Sequence, residues 1–190
     1  MMATTQIGTD RYSSVATVLH WSIAHLLFAQ IYVGWTFGDM ARGPARDLWF
    51  DWHKTLGFTI LALSVVRLTW RLINPPPALP PEMPRWEKFA AYLSHIAFYV
   101  IMISLPLTGW AAISTGRAAL TSTMTSLVGA LSWPLIPGLP HTMHEPMEQV
   151  HELLVKVTYA LVILHIGAAL KHQFLDNGRM AGRLWPFPRR

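Results

Sequence analysis

The sequence predicts an all-α membrane protein, a bundle of four transmembrane helices. Of the 190 residues, 52% are apolar and only 13% carry a formal charge. An ordinary soluble domain has about a quarter of charged residues, so this chain has too few charges to cover a water-facing body. Four long apolar stretches and nine Trp residues, which favour the boundary between lipid and water, agree with a membrane location.

Each apolar stretch is long enough to span a bilayer, since about 20 residues at 1.5 Å each cross a hydrocarbon core of about 30 Å. In the second stretch, Lys54 and Arg67 must reach the interface, form ion pairs or face a polar interior. Pro106 predicts a kink in the third. The chain is a single domain over residues 1–190, with predicted spans at 15–37, 48–73, 89–113 and 146–172.

The connections between the spans differ in character. Residues 74–84 are rich in Pro and predict a stiff, extended link. Residues 114–145 form the longest connection, which we expect to lie on the membrane interface with a short helix.

The positions of Lys and Arg predict the orientation. Ten of the 15 lie near the ends that carry the chain termini, among them Arg179, Arg183, Arg189 and Arg190, and five lie near the opposite ends. Because cytoplasmic ends of spans are enriched in these residues, both termini are expected in the cytoplasm.

Charge and cysteine content exclude several classes of function. The net charge of +5 is spread in short clusters between apolar runs, which argues against a nucleic-acid partner. With no Cys, the chain can form no disulfide, no iron–sulfur cluster and no covalent c-type haem attachment.

Nine His residues are many for so apolar a chain, and an imidazole inside a bilayer is costly unless its polarity is used. His151 and His165 both lie in the fourth predicted span. The 14 residues between them correspond to about 21 Å along a helix, and 14 steps of about 100° return to within about 40° of one face. One helix therefore offers two ligands at two depths.

The depth of each histidine in the predicted membrane span indicates which histidine of another span could pair with it. His20 lies five residues after Val15, near the cytoplasmic end of the first span, and His165 lies five residues before Leu170, near the cytoplasmic end of the fourth. His53 and His151 each lie about one turn inside the opposite end of their span. His25 lies about 140° from His20 around the first helix, so both cannot face one pocket, and depth alone favours His20.

Without Cys, the cofactor that suits such pairs is haem b, held by its axial ligands and by packing alone. Two imidazoles fill both axial positions of the iron, which favours electron transfer over oxygen binding. The sequence therefore predicts a four-helix transmembrane bundle that binds two b haems through His20, His53, His151 and His165. His95 and Arg67 are expected to bind haem propionates, and His172 a propionate or a lipid phosphate.

Six short motifs carry a resemblance to a known family: LHW at residues 19–21, WHKTLG at 52–57, VVRL at 65–68, LPLTG at 105–109, HEL at 151–153 and LH at 164–165. Together with Arg71 and His95, they resemble the prokaryotic cytochrome b561 family over roughly residues 11–174. The resemblance implies four transmembrane helices in the bacterial inner membrane, two b haems and electron exchange with ubiquinone. It also implies the same four axial ligands, and the family's described activities include oxidation of superoxide at the outer face.

Three functions compete at this point. The first is a haem-dependent oxidoreductase that passes electrons from superoxide to ubiquinone, although the acidic residues predicted at the outer face would not steer an anion. The second is a cytochrome b membrane subunit that exchanges electrons between quinone and a redox partner protein, for which an acidic face would suit a basic partner. The third, ranked well below, is a channel or transporter with a proton relay of His residues.

Overall fold

A computed structural model describes residues 11–175, apart from the side chain of Ala130. Arg179, Arg183, Arg189 and Arg190, on which part of the predicted orientation rests, lie outside the described residues. The elements are helices α1 (Ser14–Gly38), α2 (Pro44–Ile73), α3 (Arg85–Thr115) and α4 (His144–Phe174), and strands β1 (Met124–Ser126) and β2 (Ser132–Pro134).

Local chemistry explains where the helices begin and end. The Ser13 side chain caps α1 by accepting a hydrogen bond from the backbone N–H of Ala16 at 3.2 Å. Pro44 is the first residue of α2, where its missing N–H costs nothing, and the Pro-rich link after Ile73 cannot continue that helix. Each of the four helices contains one of the predicted spans.

All four helices are long and apolar enough to cross a membrane. Large apolar side chains on their outer surfaces are exposed, among them Phe28, Ile96 and Leu164, and in a bilayer these contact lipid. The predicted fold class, an all-α membrane protein with a four-helix bundle, is confirmed.

The bundle consists of two helical hairpins. The closest backbone packing joins α1 to α2 and α3 to α4, with a smaller contact between α2 and α3. Between the hairpins, α4 meets α1 and α2 through imidazole and aromatic rings. We call the end where α1 begins and α4 ends the inner end, and the opposite end the outer end.

A small apolar core lies midway along the bundle. It consists of buried side chains from three helices: Ile23, Leu27, Ile60, Ile101 and Met102. Because the core fills only the middle, the two ends of the bundle are left for side chains of other kinds.

The outer loop, residues 116–143, contains the short helical structure expected of it, in the form of 3₁₀ turns, and its location at the membrane interface stays a prediction. Its regular structure is a β-hairpin in which Thr125 pairs with Trp133, together with three short 3₁₀ turns. The hairpin was not predicted, because its strands are three residues each and too short to show an alternating pattern.

Lys54 fastens this loop to the outer end of α2. Its ammonium group forms an ion pair with Asp51 at 2.8 Å and donates hydrogen bonds to the hydroxyls of Thr125 at 2.9 Å and Ser126 at 3.4 Å. The Ser126 hydroxyl donates in turn to Asp51 at 2.8 Å. Three acceptors for three N–H groups explain how the Lys54 side chain can be only 7% exposed.

Candidate functional site

The outer histidine pair joins α2 to α4. The ring centres of His53 and His151 lie 6.2 Å apart, with an angle of 75° between the ring planes. His53 lies just over one helical turn inside the predicted second span, which starts at residue 48. His151 lies about two turns after His144, the first residue of α4. The structure therefore brings together the two residues that the depth argument paired at this end.

His151 is held by α3. Its Nδ1 lies 2.9 Å from the carbonyl oxygen of Leu105, so that Nδ1–H donates to this oxygen, and 3.4 Å from the Thr108 hydroxyl. A proton on Nδ1 leaves the lone pair of Nε2 free for a metal. Gly109 permits the close approach, because a Cβ atom there would lie 3.0 Å from the ring carbon Cε1.

His53 is held by α1 and flanked by aromatic rings. The side-chain amide of Gln30 donates to the backbone carbonyl of His53 at 3.1 Å, and its nitrogen lies 3.4 Å from Nε2 of the ring. The Phe37 and Phe50 rings lie 5.0 and 6.4 Å from the imidazole. Within the described residues, Nδ1 of His53 is buried and has no hydrogen-bond partner.

Two neighbouring cavities lie between the helices, and one of them adjoins His53 of the outer pair. One, of about 60 Å³, is lined by residues of α1, α2 and α3 that include His53 and Gly109; the other, of about 30 Å³, lies toward the middle of the bundle. Gln30, Gly57 and Pro106 line both cavities. Both are smaller than the roughly 300–1,000 Å³ that larger ligands occupy, so the side chains between the hairpins must part to admit a porphyrin.

The inner histidine pair joins α1 to α4. The ring centres of His20 and His165 lie 6.3 Å apart, with an angle of 60° between the planes. His95 on α3 is a third imidazole, and its ring centre lies 6.2 Å from that of His165. Phe98, also on α3, has its ring centre 5.0 Å from that of His165. The structure again brings together the predicted pair, with His95 beside it.

Two arginines of α2 accompany the inner pair. The guanidinium of Arg67 donates to the backbone carbonyl of Ala16 at 3.1 Å and is close enough to His20 and His165 to act on them electrostatically. Arg71 lies near His95, with its guanidinium 5.8 Å from the centre of the Tyr99 ring. These cations are of the kind that a buried carboxylate needs.

The remaining histidines face elsewhere. His25 is exposed on the surface of α1, and its Nδ1 lies 2.6 Å from the carbonyl oxygen of Trp21 in the same helix. His141 and His144 contact backbone carbonyls near the end of α3, those of Thr115 and Ala112. His172 lies beside Glu87, which forms a 2.8 Å ion pair with Lys171.

Both pairs fit axial ligation of a haem iron by their spacing and donor chemistry. Two metal–nitrogen bonds of about 2 Å and the two ring radii add to about 6 Å between the ring centres of opposed imidazoles. Rings that share one axis can take any angle to each other, so 60° and 75° are both compatible. The unpartnered Nδ1 of His53 also indicates a polar occupant or partner beyond the described contacts.

Sequence reasoning missed two residues of the outer site, Gln30 and Gly109. Gln30 was an uncommon amide within an apolar span, which is a signal for a polar role. Gly109 belongs to the LPLTG motif at residues 105–109. Its role in admitting the His151 ring depends on which face of α3 meets α4, and the sequence does not specify that face.

The fold and the site together define a class of protein: a multi-pass membrane protein in which imidazoles are paired at two depths. The chain matches the model of prokaryotic cytochrome b561 over residues 11–184, and it belongs to this family. Membership implies b-type haem and a haem-dependent role in membrane electron transfer.

Curated relatives agree with this assignment. The chain is 26% identical to cytochrome b561 homolog 2 of Escherichia coli strain K12 over 183 residues, covering 92% of this chain and 93% of the relative. It is 27% identical to cytochrome b561 homolog 1 of the same strain over 180 residues, covering 93% and 98%. A protein of Yersinia pestis named probable superoxide oxidase CybB is 24% identical over 180 residues, covering 93% and 96%.

Proposed function

We propose that the protein carries electrons across the bacterial inner membrane between two b haems, oxidising superoxide at the outer end and reducing ubiquinone at the inner end. The observation that carries the proposal is the pairing of His151 with His53 and of His165 with His20, both at a spacing that suits one iron. Because α4 supplies one imidazole to each pair, the two sites lie at different depths of one bundle.

The protein's own residues have distinct tasks in this proposal. A b haem held by these imidazoles would supply one-electron oxidation and reduction. The Leu105 carbonyl fixes the tautomer of His151 by accepting from its Nδ1–H. Arg67 and His95 offer hydrogen-bond donors to propionate groups at the inner site.

Ubiquinone reduction balances the reaction: two superoxide anions give two molecules of oxygen, and their two electrons with two protons convert one ubiquinone to ubiquinol. The inner end suits this half-reaction because it carries protonatable side chains: His95 lies beside the inner pair, and Glu87 and His172 lie next to each other about two turns further along α4. Arg71, beside His95, can donate a hydrogen bond to a quinone carbonyl.

The choice of superoxide is supported by the name of the relative from Yersinia pestis. The outer surface does not add to this support. The charge of Lys54 is neutralised by Asp51, while Glu145, Glu148 and Glu152 are exposed on the outer turns of α4. An acidic surface would slow the approach of an anion.

The same acidic turns favour a second candidate function. A basic redox protein could dock at the outer end of α4 and exchange electrons with the outer site, which would make the chain the membrane subunit of a larger system. Co-purification of such a protein, together with slow reaction with free superoxide, would support this candidate.

Haem content tests the sites. In purified protein, a reduced-minus-oxidised absorption spectrum with haem quantified per chain should give two haems. His151→Ala and His165→Ala should each retain about one, since each variant removes a ligand from one pair only. His25→Ala is the matched control, because His25 is exposed and bonded within its own helix, and it should retain both. Two haems in both ligand variants would contradict the assignment.

Rapid mixing tests the reaction. Superoxide added to oxidised protein should reduce the haem faster than superoxide decays unaided, and added ubiquinone should then reoxidise it. If superoxide fails to reduce a fully loaded protein that a basic redox protein does reduce, the second candidate replaces the first.

A further inference from the structure

The four predicted axial ligands are divided between the two helical hairpins. His20 lies on α1 and His53 on α2, whereas His151 and His165 both lie on α4. Each pair therefore joins one hairpin to the other. A porphyrin between such rings lies at the interface of the hairpins, where the two cavities are too small to admit it. The hairpins must separate along one edge of this interface, either where α2 meets α3 or where α1 meets α4.

The outer loop ties α2 to α3 at the outer end. The backbone N–H of Val128 donates to the hydroxyl of Thr55 on α2 at 3.1 Å, and the indole of Trp110 on α3 donates to the Pro134 carbonyl at 3.0 Å. Lys54 adds its hydrogen bonds from α2 to the β-hairpin. Because one loop bonds to both helices, separating α2 from α3 at this end breaks hydrogen bonds.

Rings and the chain itself close the rest of the α2–α3 edge. The ring centres of Phe58 on α2 and Trp110 on α3 lie 5.5 Å apart. Toward the inner end, the guanidinium of Arg71 on α2 lies 5.8 Å from the centre of the Tyr99 ring on α3. Residues 74–84 then join the two helices covalently. This edge is therefore fastened at both ends of the bundle.

The described hydrogen bonds that α1 and α4 make to other helices stay within their own hairpins. On α1, the backbone carbonyl of Ala16 accepts from Arg67 of α2 at 3.1 Å. On α4, Nδ1–H of His151 donates to the carbonyl of Leu105 on α3 at 2.9 Å. Bonds of this kind hold each hairpin together but do not resist the separation of α1 from α4.

The α1–α4 edge is closed by rings and apolar side chains. Besides His20 and His165, the rings of Trp35 on α1 and Tyr159 on α4 meet with their centres 5.9 Å apart, and Trp35 is 61% exposed. Apolar contacts between helices have no hydrophobic driving force in a bilayer, since lipid tails can replace them. Hydrogen bonds at the other edge are lost at a net cost even where water can replace them. Separation is therefore easiest at the α1–α4 edge.

We propose that the α1–α4 edge is the site through which haem enters and leaves the bundle, and that the contact of Trp35 with Tyr159 closes it. The inference rests on the haem sites of the proposed function. On release, the bonds between iron and the imidazoles break and α1 parts from α4, while the outer loop keeps α2 and α3 together. The apolar porphyrin then passes lipid tails rather than water.

A merely structural contact predicts a different outcome. If Trp35 and Tyr159 only stabilise the packed helices, and haem leaves by the α2–α3 edge or by an end of the bundle, then joining these two positions covalently has no reason to slow its release. A covalent link across the α2–α3 edge would instead slow release if haem left there.

The test is the release of haem from purified, loaded protein to excess apomyoglobin, followed by absorbance. The chain has no Cys, so Trp35→Cys with Tyr159→Cys places the only two thiols across the α1–α4 edge. Phe58→Cys with Trp110→Cys is the matched pair across the α2–α3 edge. Each protein is compared before and after its thiols are joined by a short bis-maleimide, with the link confirmed by mass spectrometry.

Joining Trp35→Cys to Tyr159→Cys should slow release by about tenfold or more, because opening the other edge breaks at least two hydrogen bonds. Joining Phe58→Cys to Trp110→Cys should leave the rate unchanged. Equal rates before and after the first link, or slower release after the second, overturn the proposed route while the haem sites stand. A wild-type protein without haem contradicts the proposed function instead.

A single substitution checks the same contact without thiols, should either Cys pair fail to fold. Tyr159→Leu removes one aromatic pair and should speed release roughly two- to tenfold. Tyr32→Leu is its matched control, since Tyr32 and Trp49 also lie 5.9 Å apart but join α1 to α2 within one hairpin. Equal release rates in these two variants would overturn the role of the Trp35–Tyr159 contact.

Discussion

Single residues decide which imidazoles meet. Helix periodicity placed His151 and His165 on one face of α4, and depth matched them with His53 and His20, so the sequence predicted both close pairs. It could not decide between His20 and His25 except by depth, because spacing within α1 does not say which face meets α4. The structure points His25 away from the bundle and into a bond with Trp21. The role of the four residues as ligands stays a prediction.

Gly109→Ala tests how tightly the outer site is built. The new Cβ would lie 3.0 Å from Cε1 and 3.1 Å from Nδ1 of His151, and the ring is fixed by the Leu105 carbonyl. Overpacking of this kind costs about 1–3 kcal/mol, so we expect weaker retention of the outer haem, measured as haem per chain during washing in detergent.

Gly167→Ala supplies the comparison for this variant. It makes the same change within α4 at a position where nothing lies within 4 Å of the added atom. It should keep both haems. Equal haem retention in the two variants would show that contact with Gly109 does not position His151.

At the scale of elements, hydropathy predicted the helices far better than the connections. Twenty-residue apolar runs have few alternatives in a bilayer, because every backbone group must be bonded internally. The outer loop lacks this constraint, and its fold depends on contacts distant in sequence, such as the bond from the Trp110 indole to the Pro134 carbonyl. Lys54 was expected to reach the interface, form an ion pair or face a polar interior, and it forms an ion pair with Asp51.

Replacing Lys54 should loosen the β-hairpin. Lys54→Met removes the bonds to Thr125 and Ser126 and leaves the Asp51 carboxylate without its cation. A partly buried group that loses its partner costs about 1–3 kcal/mol. Hydrogen exchange of backbone amides in residues 124–134 should therefore become faster in the variant.

Lys156→Met is the matched control, since Lys156 also lies on an outer helix segment but is exposed. Its amide exchange in the hairpin should equal that of the wild type. Unchanged exchange in Lys54→Met would mean that the hairpin is held by its aromatic contacts, such as Phe58 against Trp133 at 4.8 Å.

For the molecule as a whole, the register of α4 couples the two sites. One Ala inserted after Thr158 should rotate one half of the helix by about 100° relative to the other. His151 and His165 can then no longer face their partners together, so we expect one haem per chain. The same insertion after Gly138 in the outer loop should leave two, and two haems in both proteins would contradict the shared-helix arrangement.

An unbroken helix between His151 and His165 also has a kinetic consequence. Electron tunnelling slows steeply with distance, and here the vertical offset of the two levels is set by helical rise, at about 21 Å for 14 residues. No loop or hinge within the described chain interrupts that segment. In the proposed function, the distance that electrons cross between the two levels would therefore be fixed by the scaffold, and electron flux would be controlled where electrons enter or leave the protein.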